Sequence, residues 1–519
     1  MNRWLGLGLL LVVVGAVGLR CPVLDRRPMH NDEAVNALKI QGLWERGTYA
    51  YDPNEYHGPA LFYATLPFLW LGPATDFSQL TEKTLRLVPV FFGVGLIVLL
   101  WFLGDALGRT AALFAGVLTA ISPAMVFYSR YFIHEMLLVC FTMIVLVAGW
   151  RYTRTRRLGW AALGGSGLGL MATTKETFVI ALGAMAGAAV LIAWWKRKED
   201  GRPLALQSFL DPKHALTALV LAMAVAVALF SSFFSHWSGL IDSLRTFTPW
   251  LRRAGGQSPH VHPFGFYFER LAFFHQPKGP VWSEGLVLFL AGVGLLAAFT
   301  RKGLGPANVW FVRFIALYAM TLSLAYSAIS YKTPWCMLGF LHGLILLAGV
   351  GAVALLQFWR RKAVKIGFAI VLAFASINLG WQAWRASYIF VADGRNPYVY
   401  AQTVPDILRL IHKVEAVANV DPQGREMLLK VAAPAGDYWP LPWYLRQFKK
   451  VGWWNALPPD PYAPIVIVGS KLDASLDDKS NKGWLMVGLF ELRPKTFFEL
   501  YVQADLWRRY VEGLPKDRN

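Results

Sequence analysis

The chain has 519 residues, of which 55% are hydrophobic and only 16% are charged, and its mean hydropathy is +0.40. Soluble domains average about 25% charged residues, so the composition excludes an ordinary soluble protein and indicates a polytopic membrane protein. The net charge of +19 would suit nucleic-acid binding. However, the basic residues gather between apolar runs, which is the positive-inside pattern of membrane proteins.

Eleven apolar segments of about 20 residues, the length that crosses a bilayer, are predicted to be transmembrane helices. They are residues 4–20, 85–104, 110–128, 132–150, 158–174, 176–195, 214–234, 284–300, 310–330, 335–356 and 364–384. We interpret the first as a retained helix, because Arg20 disrupts a small-residue cleavage site. With a cytoplasmic N-terminus, the basic clusters that begin at Arg151, Lys196, Arg301 and Arg360 are all cytoplasmic, as the positive-inside rule requires.

The first outer loop, residues 21–84, is long enough to carry structure of its own. A helix is predicted over Asp32–Gly47, because its apolar residues favour one face and Gly47 is a typical stop. Residues 58–71 are apolar and aromatic but short for a span, so an interfacial helix in the headgroup plane is predicted there.

From Arg385 onward the composition is that of a soluble domain. We therefore divide the chain into a transmembrane domain, residues 1–384, and an extracytoplasmic α/β domain, residues 385–519. The strands predicted in the second domain are Leu428–Ala432, Ile465–Val468 and Trp484–Leu489, and the predicted helices are Pro405–Val417 and Trp443–Lys450.

Asp32 and Glu33 are adjacent carboxylates just after the first predicted span. Carboxylates at a bilayer edge are costly and usually functional, and a base that deprotonates an acceptor hydroxyl needs such a group. We predict that this pair is catalytic. Capping of the following helix, whose dipole favours early acids, is the alternative.

Further ionisable residues lie at the outer ends of other predicted spans. The candidates for substrate contact are Glu55, His57, Arg130, His134, Lys175, Glu176, Tyr331 and Lys332, with Glu135 as a third catalytic acid. Lys175 and Lys332 lie on the predicted outer side, against the positive-inside trend. A lysine side chain suits a phosphate; the alternative is that both snorkel to lipid headgroups. For the turn of residues 129–135 the alternative is a structural ion pair between Arg130 and Glu135.

Together these residues bring acids and cations to one face from distant segments. Cations could hold a lipid phosphate while a carboxylate acts on a hydroxyl. The sequence has no Walker A loop, no nucleotide-binding fingerprint and no Gly-x-Ser-x-Gly motif, so ATP-driven chemistry and serine hydrolysis are not supported. No cofactor is indicated with certainty, and a divalent metal ion is left open.

Several of these motifs are also found together in a known family. Asp32-Glu33, His57-Gly58-Pro59, Glu135 and Thr174-Lys175 resemble motifs of GT-C class membrane glycosyltransferases, related to protein O-mannosyltransferases and the aminoarabinose transferases of lipid A. The resemblance covers residues 1–384. The strings His-Asn-Asp-Glu-Ala, Tyr-His-Gly-Pro and Tyr-Lys-Thr-Pro-Trp are similar to those of a subgroup named "flippase activity-associated" proteins.

The resemblance implies a GT-C fold with about eleven transmembrane helices in a cell membrane. It also implies a polyprenyl-phosphate-linked sugar as donor and a lipid, glycan or protein as acceptor on the outer face. Asp32 would be the base, Glu33 its support, Glu135 a second acidic position and Lys175 a contact to the lipid phosphate. A flippase or transporter component for lipid-linked sugars is the alternative function.

Overall fold

The computed structural model describes residues 3–54, 57–200, 211–256 and 258–514. Up to Tyr388 the regular elements are helices. They are α1 Arg3–Arg20, α2 Asn31–Arg46, α3 Ala60–Trp70, α4 Glu82–Leu99, α5 Arg109–Ile121, α6 Pro123–Ser129, α7 Glu135–Thr155, α8 Leu158–Ala172, α9 Phe178–Asp200, α10 Pro212–Phe230, α11 Ser238–Arg245, α12 Phe247–Ala254, α13 Phe266–Ala272, α14 Gly285–Thr300, α15 Val309–Ala328, α16 Leu338–Phe358 and α17 Lys362–Tyr388.

All eleven segments predicted to span are helical, but they are not equally long. Within the described ranges, eight helices are long and apolar enough to cross a bilayer. A ninth crossing requires α5 and α6 together, which are bent by 59° where Pro123 follows Ser122; a proline disfavours continued helix in the residue before it. The remaining two, α8 and α14, have 15 and 16 residues. By length and composition, eight or nine spans are therefore supported rather than eleven.

The two ends of the helical bundle differ in their chemistry. At one end, Arg151 pairs with Asp105, and Arg301 and Arg313 both pair with Glu199. The pair of Glu199 and Arg301 thus joins the segments of two predicted cytoplasmic clusters, those that begin at Lys196 and Arg301. The opposite ends of the helices hold the first outer loop and the other polar turns.

Within the first outer loop, the sequence itself sets the bounds of α2. His30 caps the N-terminus of α2. Its Nδ1 accepts from the backbone N–H of Asp32 at 3.1 Å, and the backbone N–H of His30 donates to the Glu33 carboxylate at 3.1 Å. This reciprocal arrangement is a capping box. Gly47 ends the helix in the left-handed conformation, with φ 66°. The predicted helix is confirmed, as is the short apolar helix α3.

The C-terminal region forms a five-stranded sheet flanked by helices. Its elements are α18 Asp406–Ala418, β1 Leu428–Ala432, α19 Leu441–Tyr444, β2 Lys450–Trp454, β3 Ile465–Gly469, α20 Leu476–Lys479, β4 Trp484–Arg493, β5 Thr496–Gln503 and α21 Ala504–Glu512. The strand order is β2-β1-β3-β5-β4. The first three strands are parallel, and β5 is antiparallel to β3 and β4.

One predicted element of this region is wrong. Instead of a helix over Trp443–Lys450, the chain makes the single turn α19 and then enters strand β2. The edge position beside β1 satisfies the backbone of β2 on one side, with Val451 paired to Leu429. Val451 and Trp453 pack against the buried core of the sheet, a setting that favours β-branched and aromatic residues in strands. The sequence analysis also missed β2 and β5.

The C-terminal region is fixed directly to the first outer loop. The hydroxyl of Tyr444 accepts from the backbone N–H of Met29 at 2.8 Å, and Trp443 donates to Glu82 at 2.8 Å. Gln402 donates to the carbonyl of Pro28 at 3.0 Å. The sheet therefore sits next to the residues that begin α2.

Candidate active site

A cavity of about 640 Å³ lies between the outer end of the bundle and the C-terminal sheet. Pockets that enclose small ligands have volumes of about 300–1,000 Å³. Its wall on the bundle side comes from the N-terminus of α2, from two loops and from the segment that follows α17. These residues are His30, Asn31, Asp32, His260, Tyr331, Thr333, Trp335, Tyr400 and Ala401.

Asp32 is the acid that faces this cavity from the bundle side. Its side chain is 41% exposed. His30 beside it is buried, and burial lowers the pKa of its imidazole. Because Nδ1 of His30 accepts from the Asp32 backbone N–H, its Nε2 is left to donate to the carbonyl of Tyr400, 3.2 Å away. His30 thus fixes the backbone of Asp32 while leaving the carboxylate open to the cavity.

Glu33 points away from the cavity and is fully buried. Its carboxylate accepts two bonds of 2.8 Å from Arg86 and one of 3.1 Å from Arg27, and the backbone N–H of Phe132 donates at 2.9 Å. Burial alone would raise the pKa of Glu33, but the two guanidinium groups outweigh it and lower the pKa to about 2. A carboxylate so enclosed positions the loop rather than touching a substrate.

A histidine–tyrosine cluster contributes to the same wall of the cavity as Asp32. The hydroxyl of Tyr400 lies 2.8 Å from Nδ1 of His260 and 2.9 Å from Nε2 of His262. A short antiparallel bridge joins Val261 to Tyr331. These bonds tie the loop before α13 to the segment after α17, and they present His260 and Tyr331 to the cavity.

Lys175 and Glu135 form a second buried centre. Nζ of Lys175 donates to the Glu135 carboxylate, and both side chains are 6% exposed. Glu135 therefore pairs with Lys175 and not with Arg130. A cavity of about 20 Å³ beside the pair is bounded by Tyr326, Trp335 and further residues.

His57 and Glu176 form a third polar pair nearby. Nδ1 of His57 lies 2.7 Å from Glu176, which also accepts from Thr246 at 3.2 Å. Burial would raise the pKa of Glu176, but the His57 pair lowers it to about 2. The backbone is held as well, because Gly58 donates to the carbonyl of Thr174 at 3.1 Å. The predicted residues of two distant loops thus lie together.

These centres are connected through shared aromatic walls. A narrow pocket of about 40 Å³, here called the cation pocket, is lined by two cations, Lys175 and Arg253, and by His57, Trp250 and Tyr331. Tyr331 also lines the large cavity that holds Asp32. Tyr331 therefore borders both the cavity of Asp32 and the pocket of Lys175 and Arg253.

Three other residues that were predicted to contact a substrate form hydrogen bonds within the protein instead. Arg130 donates to the carbonyls of Arg20, Pro22 and Val23 and to the hydroxyl of Tyr388. The other two residues bond to backbone carbonyls. Nε2 of His134 lies 3.0 Å from the carbonyl oxygen of Gly58, and Nζ of Lys332 donates to the carbonyl of His262 at 3.0 Å. All three are buried, so their geometry favours structural support over substrate contact.

A metal site is not assembled by the part of the chain that the structure describes. No group of three or more His, Cys, Asp or Glu side chains meets there. Glu55, a predicted contact, lies outside the described residues. A divalent metal ion therefore stays a prediction.

Sequence reasoning missed several residues of the site. Arg253 is in α12, within the long outer loop, and His260 and Tyr400 come from separate segments. A signal for Arg253 was present, because Arg252 and Arg253 also oppose the positive-inside trend. Nothing local in the sequence marked Tyr400.

Comparison with known proteins places this arrangement in a class. Residues 59–238 match the family model of dolichyl-phosphate-mannose-protein mannosyltransferases. The structure is similar to ArnT from Cupriavidus metallidurans, solved with undecaprenyl phosphate, with a TM-score of 0.61 and 15% identity over 97% of this chain and 98% of that one. No curated protein matches the chain.

A second structural relative is the oligosaccharyltransferase AglB from Archaeoglobus fulgidus, solved with an inhibitory peptide and a dolichol-phosphate. It has a TM-score of 0.54 and 13% identity, and the match covers 91% of this chain and 70% of that one. The chain is a multi-pass membrane protein with the fold of the GT-C class of glycosyltransferases, as the sequence predicted.

Proposed function

We propose that this protein transfers a sugar from a polyprenyl-phosphate-linked donor to a hydroxyl acceptor on a lipid, glycan or protein, on the outer side of the membrane. Asp32 takes the proton of the acceptor hydroxyl. The acceptor oxygen bonds to the anomeric carbon of the sugar as the bond from that carbon to the phosphate oxygen breaks. The polyprenyl phosphate leaves with its charge stabilised by cations.

The observation that carries this proposal is the arrangement about Tyr331. An exposed carboxylate, Asp32, lines the large cavity, and His57, Lys175 and Arg253 line the cation pocket, which Tyr331 also borders. Proton acceptance and phosphate binding require opposite charges. The two compartments keep Asp32 apart from Lys175, which is held by Glu135, and from Arg253.

An apolar groove next to the cation pocket suits the chain of the donor lipid. Its volume is about 330 Å³, and it begins at Gly58 and Glu176 and continues along α10 and α11. Met223 and Leu244 line it and are 56% and 72% exposed. Met223 is on the spanning helix α10, whose exposed apolar side chains face lipid, and Leu244 extends the apolar surface on α11, so a polyprenyl chain can enter laterally with its phosphate towards His57.

The proposal includes an orientation and a division of the chain. The N-terminus and the basic clusters are on the cytoplasmic side of a cell membrane, and the sheet, within residues 385–519, is outside. Residues 1–384 bind the donor. A divalent metal ion is kept as an additional candidate, to be tested by chelation.

The decisive experiment measures transfer of radiolabelled sugar from a panel of polyprenyl-phosphate sugars in membranes that carry wild type or Asp32→Asn. We expect transfer by wild type and at least a hundredfold loss in Asp32→Asn, because general base catalysis contributes about 10²–10⁴-fold. Asp25→Asn is the matched control, since Asp25 is exposed in the same loop and does not line the cavity. Undiminished activity in Asp32→Asn contradicts the mechanism.

The alternative function, a flippase component, predicts a different result from the same membranes. Transfer would be missing for every donor, and lipid-linked sugar would accumulate on the inner leaflet when the protein is deleted. Charges at the outer edge rather than near the bilayer midplane favour the transferase.

A further inference from the structure

The C-terminal sheet region supplies about half of the residues that line the large cavity, and they form the wall opposite Asp32. The wall is built by the segments that follow the parallel strands β1 and β3 and by the β4–β5 hairpin. These residues are Ala433, Pro434, Ala435, Gly436, Asp437, Trp439, Gly469, Ser470, Lys471, Arg493, Thr496 and Phe497. The carboxyl ends of parallel strands are where open α/β sheets bind ligands. The loops of this sheet open into the space where an acceptor hydroxyl must reach Asp32.

The charges of this wall are unbalanced. Arg493 donates to the carboxylate of Asp437 and, at 3.2 Å, to the carbonyl of Trp439. The negative charge of Asp437 is therefore neutralised by Arg493 within this wall. Lys471 is exposed, and in the described chain it has neither a hydrogen bond nor an ion pair. One cation is left facing the cavity from the side opposite Asp32.

The donor phosphate does not account for Lys471. The cation pocket of His57, Lys175 and Arg253 lies beyond Tyr331, at the start of the apolar groove, and Lys471 does not line it. Lys471, on the far wall of the large cavity, is therefore available to bind an anion other than the donor phosphate. Aromatic surfaces beside it, Trp335 and Trp439, suit the faces of sugar rings.

We propose that the C-terminal sheet selects the acceptor, and that the acceptor is an anionic glycan whose phosphate or carboxylate group is bound by Lys471. This inference rests on the proposed function, because it assigns the cavity to the acceptor. A single Lys contact to an anion orients the acceptor so that its hydroxyl, on the other side of the molecule, meets Asp32. An uncharged glycan of equal size lacks this anchor.

The test measures binding rather than transfer, using the full chain in lipid nanodiscs and isothermal titration calorimetry. Two matched probe pairs separate the sources of the charge: tetragalacturonate against its methyl ester, and mannose 6-phosphate against mannose. We expect wild type to bind at least one charged probe about tenfold more tightly than its uncharged partner. Lys471→Gln should abolish that preference and Lys471→Arg should retain most of it. Lys450→Gln, at the start of β2 and outside the cavity wall, should keep it fully.

Several outcomes would overturn the inference. Equal binding of charged and uncharged probes by wild type would do so, and so would a preference that survives in Lys471→Gln. Weaker binding of undecaprenyl phosphate by Lys471→Gln would reassign the lysine to the donor. Asp32→Asn should bind the probes normally, so loss of transfer in that variant tests the proposed function separately.

Discussion

Asp32 and Glu33 show how neighbouring residues can be given opposite tasks. Successive residues of an α-helix point about 100° apart, so at the start of α2 one carboxylate faces the cavity and the next faces the interior. Asp32 is 41% exposed, whereas Glu33 is fully enclosed between Arg27 and Arg86. The exposed acid can exchange protons with a substrate, and the buried acid holds the loop that presents it.

Replacement of Glu33 tests this division. Glu33→Gln leaves Arg27 and Arg86 buried without a countercharge, and loss of one partner of a buried pair costs about 3–5 kcal/mol. We expect a clearly lower unfolding temperature for Glu33→Gln in detergent, measured by intrinsic fluorescence. Asp32→Asn is the matched control and should unfold like wild type. An unchanged unfolding temperature in Glu33→Gln would show that the triad does not stabilise the loop.

The same triad has a defined pH dependence. The pKa of Glu33 is lowered to about 2, and its ordinary value is near 4.5, so its contribution to stability is complete above the ordinary pKa. The contribution is lost as the pH falls from about 4.5 towards 2. At neutral pH the support of Asp32 is therefore insensitive to small changes of pH.

The two outer-turn lysines are predicted to differ. Lys175→Ala removes a cation from the pocket proposed for the donor phosphate, so the donor KM should rise. Lys332 bonds to the carbonyls of His262 and Ile329, so Lys332→Ala should lower the unfolding temperature with a smaller effect on donor KM. Equal donor KM values for the two variants would contradict this assignment.

At the scale of elements, the loop before α3 is held against the turn after α8. Gly58 packs so closely that an added Cβ would lie 2.2 Å from the carbonyl oxygen of Thr173. The backbone N–H of Ala60, two residues further on, donates to the same oxygen at 2.9 Å. This contact brings His57 to Glu176 and so shapes the cation pocket.

Substitution of this glycine should separate donor binding from folding. In Gly58→Ala the loop must shift away from Thr173, and His57 moves with it, so we expect the donor KM to rise about tenfold, which corresponds to about 1.4 kcal/mol. Gly183→Ala is the control, because an added Cβ there meets nothing within 4 Å. Wild-type donor KM in Gly58→Ala would mean that this close packing does not position the pocket.

For the whole molecule, the large cavity is lined by two regions that meet. The bundle supplies Asp32, and the sheet, bound to the first outer loop by Tyr444 and Trp443, supplies the opposite wall. If the proposed function holds, this attachment sets the distance between the acceptor contacts and the base. Small changes in such positioning can alter rates strongly.

The orientation in the membrane can be tested by labelling. In a Cys21→Ser background, Thr155→Cys and Asp505→Cys place exposed thiols at the basic end and in the C-terminal sheet region. Cys140 and Cys336 are buried. We expect a membrane-impermeant maleimide to label Asp505→Cys in intact cells but Thr155→Cys only after permeabilisation. The reverse pattern would place the site on the cytoplasmic side.

The sequence by itself determined the membrane class, the places of the apolar helices and the bounds of α2, although it predicted eleven spans where eight or nine are supported. These features follow from composition, local periodicity and capping, which act over a few residues. It also identified Asp32, Lys175 and His57 as candidates. The helix predicted at Trp443–Lys450 was wrong, because the strand there depends on pairing with β1, some twenty residues earlier in the chain.

Only the tertiary structure decided which of the candidate charges face a cavity. Glu135 meets Lys175 from 40 residues away, Glu33 meets Arg86 from 53, and His57 meets Glu176 from 119. Lys471 joins the same cavity as Asp32 from the far end of the chain. A buried charge must find a countercharge or a polar partner. Which partner it finds depends on long-range packing, which local sequence patterns do not encode.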